Sequence, residues 1–361
     1  MQSKSLFSTD KKLTNHRRRL SRILFICLVF TVTHYILQAR QQQQQKNIVA
    51  SATSSEADDD DDRANDDEPL WTSPHLVDCK QLLLNISELQ QREDDGIFKQ
   101  TNTTPSFQMN IYNPSKDGVS KAIYDDGCWE CNHIKDMLSA LKQYNASYFL
   151  DVGGNIGMWS LTAAAAGYPT YTIEPLRDNC IRVCKSVDKN DFYNRVHLLN
   201  VAATTTDTTF RLNVPSGNIG GTSVVRVDNN NTKHDDDDSV IKGVPINKLN
   251  LPIDDNNRPV VMKVDVEGHE LEALFGASTY LKNANIVYAM MELRPNLHRT
   301  NTILWKSVFE IFISKGLKPY RLNYEDETPL DVNKLDEWKH FKHPIVRYYD
   351  VVWRLDDFVR M

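Results

Sequence analysis

Three groups of polar residues stand at the ends of apolar, β-prone runs, where side chains could do chemistry. The run 260–266, VVMKVDV, continues into Glu267, Gly268 and His269, so Lys263, Asp265, Glu267 and His269 share one short segment. Carboxylates and an imidazole so grouped can take the proton of a hydroxyl, which is a weak nucleophile until a base assists it. The run 148–152, YFLDV, carries Asp151 and gives way to Gly153, Gly154, Asn155 and Gly157. Glycines there let backbone come close to a ligand. The run 171–173 ends in Glu174, and an acid at that point can accept two hydrogen bonds from a ribose diol.

The glycine spacing discriminates between cofactors. A dinucleotide turn reads G-x-G-x-x-G. Gly154 and Gly157 fit its last two glycines, but Val152 stands in place of the first and Asp151 precedes the turn. A looser loop with an acid and no pyrophosphate cradle suits a cationic ligand such as S-adenosylmethionine. For the reaction itself, strand alternation puts Lys263, Asp265 and Glu267 on one side and Val264 and Val266 on the other. Asp265 or Glu267 is then the base that faces an acceptor, His269 the next choice and Lys263 a more remote one. The plainer alternative is that Glu267 and Gly268 shape a turn and Lys263 pairs with an acid. Asp265 and Glu267 are also candidate ligands of a divalent ion, with no third ligand that the sequence can place. Glu292 ends another run and serves either as an acceptor contact or as the partner of Arg294. Trp159, Trp305 and Met290 read as core.

These residues need elements to position them. Runs at 148–152, 171–173, 195–202, 260–266 and 286–293 read as strands, and the third brings Asn200, Val201 and Ala202 to the ligand end. Helices are expected at 158–166 (stopped by Gly167), 176–190, 270–281 and 301–315 (ended by Gly316). An amphipathic helix at 134–144 precedes the first strand, with Ile134, Met137, Leu138 and Leu141 on one face. Residues 317–322 and 348–355 are two last strands, 208–214 with 223–227 a hairpin insertion, and 228–238 a solvated Asn/Asp loop without EF-hand spacing. Residues 79–89 form a short helix and 90–125 an irregular lead-in. Strands alternating with helices predict an α/β fold around a parallel sheet, with ligands beyond the carboxyl ends of the strands.

The two motifs together, DVGGNIGMWSL followed by YTIEP and then VVMKVDVEGHELEALFGA, resemble the FkbM-type S-adenosylmethionine-dependent methyltransferases. The resemblance covers about residues 120–325, and the second motif is the more specific. It implies a class I methyltransferase (Rossmann-like) fold, a seven-stranded sheet with an antiparallel last strand. It also implies that Asp151, Gly153, Asn155, Gly157 and Glu174 touch the cofactor; Ala202, at the end of the third strand, joins them as a candidate. Family members methylate hydroxyls of sugars or natural products.

The ends of the chain extend beyond that core. Residues 1–22 carry Lys4, Lys11, Lys12, Arg17, Arg18, Arg19 and Arg22 against Asp10 and read as a cytoplasmic tail. The apolar run 23–37, about 18 residues with Leu20 included, is near the lower limit for a spanning helix. It reads as a type II signal anchor that leaves the bulk of the chain lumenal, in the Golgi or ER, whose bilayers are thin. A cleaved signal peptide is the alternative. Residues 38–78, with a glutamine run and the acidic run 58–62, are too polar to fold and form a stem before a lumenal domain at 79–361. Sequons begin at Asn85, Asn102, Asn145 and Asn230. Beyond Cys27, five cysteines leave at least one unpaired or intermolecular. Cys128 and Cys131 read as ends of structural disulfides, and zinc or redox chemistry is the lesser alternative. Cys180 and Cys184, one helical turn apart, pair elsewhere or stay buried. The net charge of −6 and the lack of a broad basic surface exclude nucleic acid as the expected partner. The expectation is an O-methyltransferase for a glycan or another hydroxyl-bearing acceptor. A type II membrane glycosyltransferase, with Asp265-Val-Glu267 as its metal motif, is the competing enzyme, and a non-catalytic scaffold is the third possibility.

Overall fold

The structure is a computed structural model that describes residues 73–89, 96–227, 239–253, 257–293, 298–321, 328–334 and 349–360. All of them belong to one compact unit, Pro69–Met361. The expected anchor at 23–37, the loop 228–238, Arg294 and the sequon at Asn230 lie outside the described residues. No described helix is long and apolar enough to cross a membrane.

The chain opens with α1 (Cys79–Leu89), β1 (Ile97–Gln100), β2 (Gln108–Ile111), α2 (Gly118–Asp126) and α3 (Cys131–Gln143). Then β3 (Tyr148–Val152), α4 (Met158–Ala165), β4 (Thr170–Ile173), α5 (Arg177–Asn190) and β5 (Val196–Leu199) alternate. An insertion follows: β6 (Ala202–Ala203), β7 (Thr208–Asn213), β8 (Ser223–Arg226) and β9 (Val240–Val244). The alternation resumes with β10 (Val260–Val264), α6 (Glu270–Gly276), α7 (Ser278–Asn283), β11 (Ile286–Leu293) and α8 (His298–Ser314). Strands β12 (Lys318–Arg321) and β13 (Tyr349–Arg354) close the described chain.

Seven strands form the main sheet in the order β12-β13-β11-β10-β3-β4-β5. Strand β13 runs antiparallel to both neighbours, while β3, β4, β5, β10 and β11 are parallel. This is the arrangement that the family resemblance implied. Its central strands are buried along their whole length, as strands covered on both faces must be. Two apolar clusters, one on each face, form the core. Trp305 and Met290 are buried in it, and Ile134, Met137 and Leu141 of α3 pack inward while Leu138 is half-buried.

Five expectations are corrected. The lead-in is not irregular, since it holds the β1–β2 hairpin and α2. The stem does not reach residue 78: Leu76 bridges Leu199, and Val77 N–H donates to the Leu198 carbonyl (2.8 Å), which covers the exposed edge of β5. The strand expected at 195–202 ends at Leu199, because the Asn200 amide turns to donate to the Glu174 and Pro175 carbonyls (2.9 Å each). Ala202 therefore starts a separate four-stranded sheet, β6-β9-β7-β8, in which the expected hairpin gains β9. The helix expected at 270–281 breaks at Ala277. Just before the break, a Cβ on Gly276 would lie 1.9 Å from the Thr204 carbonyl oxygen.

The cysteines sort into Cys79–Cys184, which ties α1 to α5, Cys128–Cys131, and a buried Cys180. The two members of the Cys-x-x-Cys pair thus bond to each other and offer no thiolate to zinc. The sequon residues Asn85, Asn102 and Asn145 are exposed.

Candidate active site

Beyond the carboxyl ends of β3, β4 and β10 lies a solvent-open cleft, where ligands of such sheets bind. One end is built from backbone. Gly153 (φ 88°) and Gly154 leave β3, and both N–H groups donate to the Ile173 carbonyl. Asn155 adopts a left-handed φ of 49°, and Gly157 (φ 90°) precedes α4. Gly153 is required by a neighbouring loop: a Cβ there would lie 1.8 Å from the Asp265 carbonyl oxygen.

Glu174 ends β4 and is almost fully buried. Its carboxylate accepts from Asn155 N–H (2.7 Å), Leu176 N–H (2.8 Å) and the Asn179 amide (3.2 Å). A carboxylate has about four acceptor sites, so these three leave room for a ligand hydroxyl. Burial pushes Glu174 up to about 7, against the lowering effect of its backbone donors. Gly153, Asn155, Glu174 and Ala202 all line the cleft. Gly157 sits just behind, at the helix start. Asp151 does not reach the wall. It is fully buried, accepts from Ser160 Oγ (2.6 Å), and lies opposite Lys263 in the β3–β10 register. Burial raises its pKa, and the Lys263 ammonium opposes that rise.

The other end is built from side chains. Strand β10 stops at Val264, so the alternation expected through Glu267 does not hold there. Instead the chain turns, with Glu267 at φ 57° and Gly268 at φ 99°. Glu270 holds this turn: its Oε1 accepts from Val266 N–H (3.3 Å) and Gly268 N–H (2.8 Å). The turn brings Lys263, Asp265, Glu267 and His269 onto one wall. Lys263 Nζ stands 3.1 Å from Asp265 Oδ2 and donates to the Gly153 carbonyl (3.3 Å). Burial lowers the lysine pKa, but the carboxylates of Asp265, Asp151 and Glu130 outweigh it, so Lys263 stays an ammonium and is no base. Asp265, Glu267 and Glu292 bring carboxylate oxygens within 4.8 Å of one another. Glu292 would be the third ligand if this trio held a cation, although the ammonium already brings positive charge to Asp265. Burial, with Asp265, Glu270 and Asp350 nearby, raises the Glu292 pKa.

His269 Nε2 is 3.1 Å from Thr204 Oγ1, and its ring meets Phe210 edge-on. Burial lowers its pKa, partly offset by Glu272. Trp159 is buried as expected yet also faces the cleft, where its Nε1–H donates to Glu130 (2.9 Å).

Four contributors escaped the sequence reading: Glu270, the Trp129–Glu130 pair, Asn179, and the Gly220–Val224 segment of the insertion. Only Glu270 carried a local signal, an acid in the first turn of a helix, where the dipole favours it. The Gly220 segment is held by Asp117, which accepts from Gly220 N–H (3.2 Å) while capping α2 through Ser120 N–H (2.7 Å).

Residues 151–311 match the family model of the methyltransferase FkbM domain. Among solved structures, the chain is similar to the methyltransferase FkbM from Methylobacillus flagellatus at 18% identity and a TM-score of 0.35. That likeness covers 58% of this chain and 43% of the other, so the chain spans less than half of that protein's length. It is similar to P. horikoshii TYW2, solved in complex with MeSAdo, at 11% identity and a TM-score of 0.34, over 76% and 80% of the two chains. A third likeness is to the precorrin-6y C5,15-methyltransferase of Geobacter metallireducens, at 10% identity and a TM-score of 0.32, over 62% and 89%. No curated protein matches the chain.

Proposed function

Residues 151–311 being a methyltransferase FkbM domain, we propose that the chain is an S-adenosylmethionine-dependent O-methyltransferase that acts on a glycan hydroxyl in the secretory pathway. The observation that carries this reading is the two-ended cleft. Glu174, with an acceptor site to spare, stands at one end, and Asp265, Glu267 and His269 stand at the other.

Glu174 would accept the ribose hydroxyls of the cofactor, and Asn155, Gly153 and Ala202 would wall it. When bound, S-adenosylmethionine supplies an electrophilic methyl on a sulfonium; the acceptor oxygen gains that methyl and S-adenosylhomocysteine leaves. The acceptor hydroxyl must shed its proton. Glu267, on the same wall, takes that proton, and the Lys263–Asp265 pair orients the acceptor. His269, whose pKa is lowered by burial, is the alternative base on the same wall. Orientation within the cleft supplies much of the acceleration.

The secretory assignment is supported by the basic, apolar N-terminal sequence of a type II anchor in the Golgi or ER. It is also supported by the Cys79–Cys184 bond, which suits an oxidising compartment. The test is thermal unfolding with S-adenosylmethionine or with uridine-diphosphate sugars. Stabilisation by the methyl donor is the expected result. Stabilisation by a sugar nucleotide alone would overturn the proposal in favour of a glycosyltransferase. Methyl transfer measured with and without chelator then reads whether Asp265, Glu267 and Glu292 hold a required cation.

A further inference from the structure

The methyl-donor end of the cleft has its residues assigned, but the acceptor end has one wall without a role. That wall is Trp129 and Glu130, which face the cleft from the start of α3. Three observations set the pair apart. Trp129 is 38% exposed, and among the exposed large apolar side chains of the described residues it is the one on the cleft wall. Glu130 stands at the N-cap of α3, where an acid side chain ordinarily caps the helix. It makes no cap bond; its carboxylate accepts from Trp159 Nε1 inside the cleft instead. It also keeps a left-handed φ of 56°, a conformation that a non-glycine residue holds only where its surroundings enforce it. The Cys128–Cys131 bond spans these two residues.

The charge at this end selects further. Glu130, Asp265 and Glu267 share the wall with one ammonium, Lys263. A carboxylate, sulfate or phosphate entering there would meet the carboxylates of Asp265 and Glu267, whereas a hydroxyl can donate to any of the three acids. A broad aromatic face beside hydroxyl acceptors matches a ring with one apolar face and an equatorial rim of hydroxyls.

Resting on the methyltransferase reading above, we propose that Trp129 and Glu130 form the acceptor subsite for an uncharged sugar ring. The ring stacks on Trp129, a hydroxyl beside the reacting one donates to Glu130, and the reacting hydroxyl is turned toward Glu267.

The full chain, with tritiated S-adenosylmethionine, is offered two probes: neutral oligosaccharides released from secreted glycoproteins, and a sialylated and sulfated pool. The neutral pool is expected to take label at least about tenfold faster, and Trp129→Ala to raise its half-saturating concentration about tenfold. Trp129→Phe keeps most of the activity. In both variants the melting shift produced by S-adenosylmethionine is unchanged, which separates a lost subsite from a lost fold. Glu130→Gln lowers the rate on the neutral pool and leaves the same shift intact. Equal labelling of both pools, or a Trp129→Ala variant with unaltered saturation, overturns the inference. So does absence of label in both pools while S-adenosylmethionine still stabilises the wild-type chain, and the methyl-donor site then stands. If the methyl donor fails to stabilise the wild-type chain, the proposed function falls and the subsite with it.

Discussion

The two ends of the cleft are built by opposite means. The end proposed for the methyl donor is made largely of backbone: a glycine turn, one buried acid whose partners are mainly backbone N–H groups, and the start of the insertion. The end proposed for the acceptor is made of side chains from distant segments, namely Trp129 and Glu130 before α3 and the 263–269 turn, with Glu292 of β11 close to Asp265 and Glu267. Backbone geometry recurs wherever a fold recurs, so a donor site can persist while acceptor sites diverge. Side-chain walls can be rewritten one residue at a time.

That contrast can be broken most severely where the two ends touch. Gly153→Ala forces a Cβ against the Asp265 carbonyl at a left-handed φ. The variant is expected to lose at least about 4 kcal/mol of stability, read as loss of soluble, cooperatively melting protein. Next is Lys263→Met, which leaves Asp265 and buried Asp151 and Glu130 without their ammonium. Breaking a buried pair of this kind costs about 3 kcal/mol, to be measured by urea unfolding; an unchanged midpoint would mean that the carboxylates are already protonated.

Smaller effects should separate the ends. Glu267→Gln is expected to lower kcat about 100-fold, within the range of a lost general base, while the melting shift with S-adenosylmethionine persists. Glu174→Gln should do the reverse, weakening cofactor binding about tenfold with less effect on the bound-state rate. Its pH dependence has a definite sign. Glu174 is raised from 4.5 to about 7 in the folded chain, so the ligand-ready carboxylate forms only as pH rises through about 7. Wild-type binding therefore tightens from about pH 6 to pH 8, and the variant's does not. Without ligand the same shift acts on stability. The folded state binds the extra proton, so this contribution is fully present below 4.5 and is lost as pH rises through about 7.

The same division governs what could be read from sequence. At the glycine-turn end, Gly153, Asn155 and Glu174 belong to one strand–turn–helix–strand unit and all line the cleft, as that local pattern suggested. Asp151 was the exception. Its type and position were plain, but it is held back from the cleft wall by Ser160, which donates to it from the following helix, beside the charge of Lys263 on the neighbouring strand. At the acceptor end, the segment 263–269 was legible as a group and misjudged in detail. A strand period predicts sides only while the strand lasts, and β10 ends before Asp265. Glu130 and Trp129 were invisible because nothing local distinguishes a helix-start acid that caps from one that turns away. The fold was legible in its alternating part. It was less so at β1, β2 and β9, where short strands with polar residues carry little period.

The Cys79–Cys184 bond has a consequence for the covalent wiring of the molecule. All six cysteines precede residue 185, so no cystine can cross from the donor half to the half that carries Lys263, Asp265 and Glu267. A single cut in the exposed 216–218 turn of the insertion would yield two polypeptides with no covalent bond between them. One would hold the glycine turn on β3 and the other the Asp265–Glu267 segment beyond β10, yet these strands are adjacent partners in the main sheet. Neither piece would carry both ends of the cleft, so any activity kept after cleavage would report directly on whether β3 and β10 stay zipped.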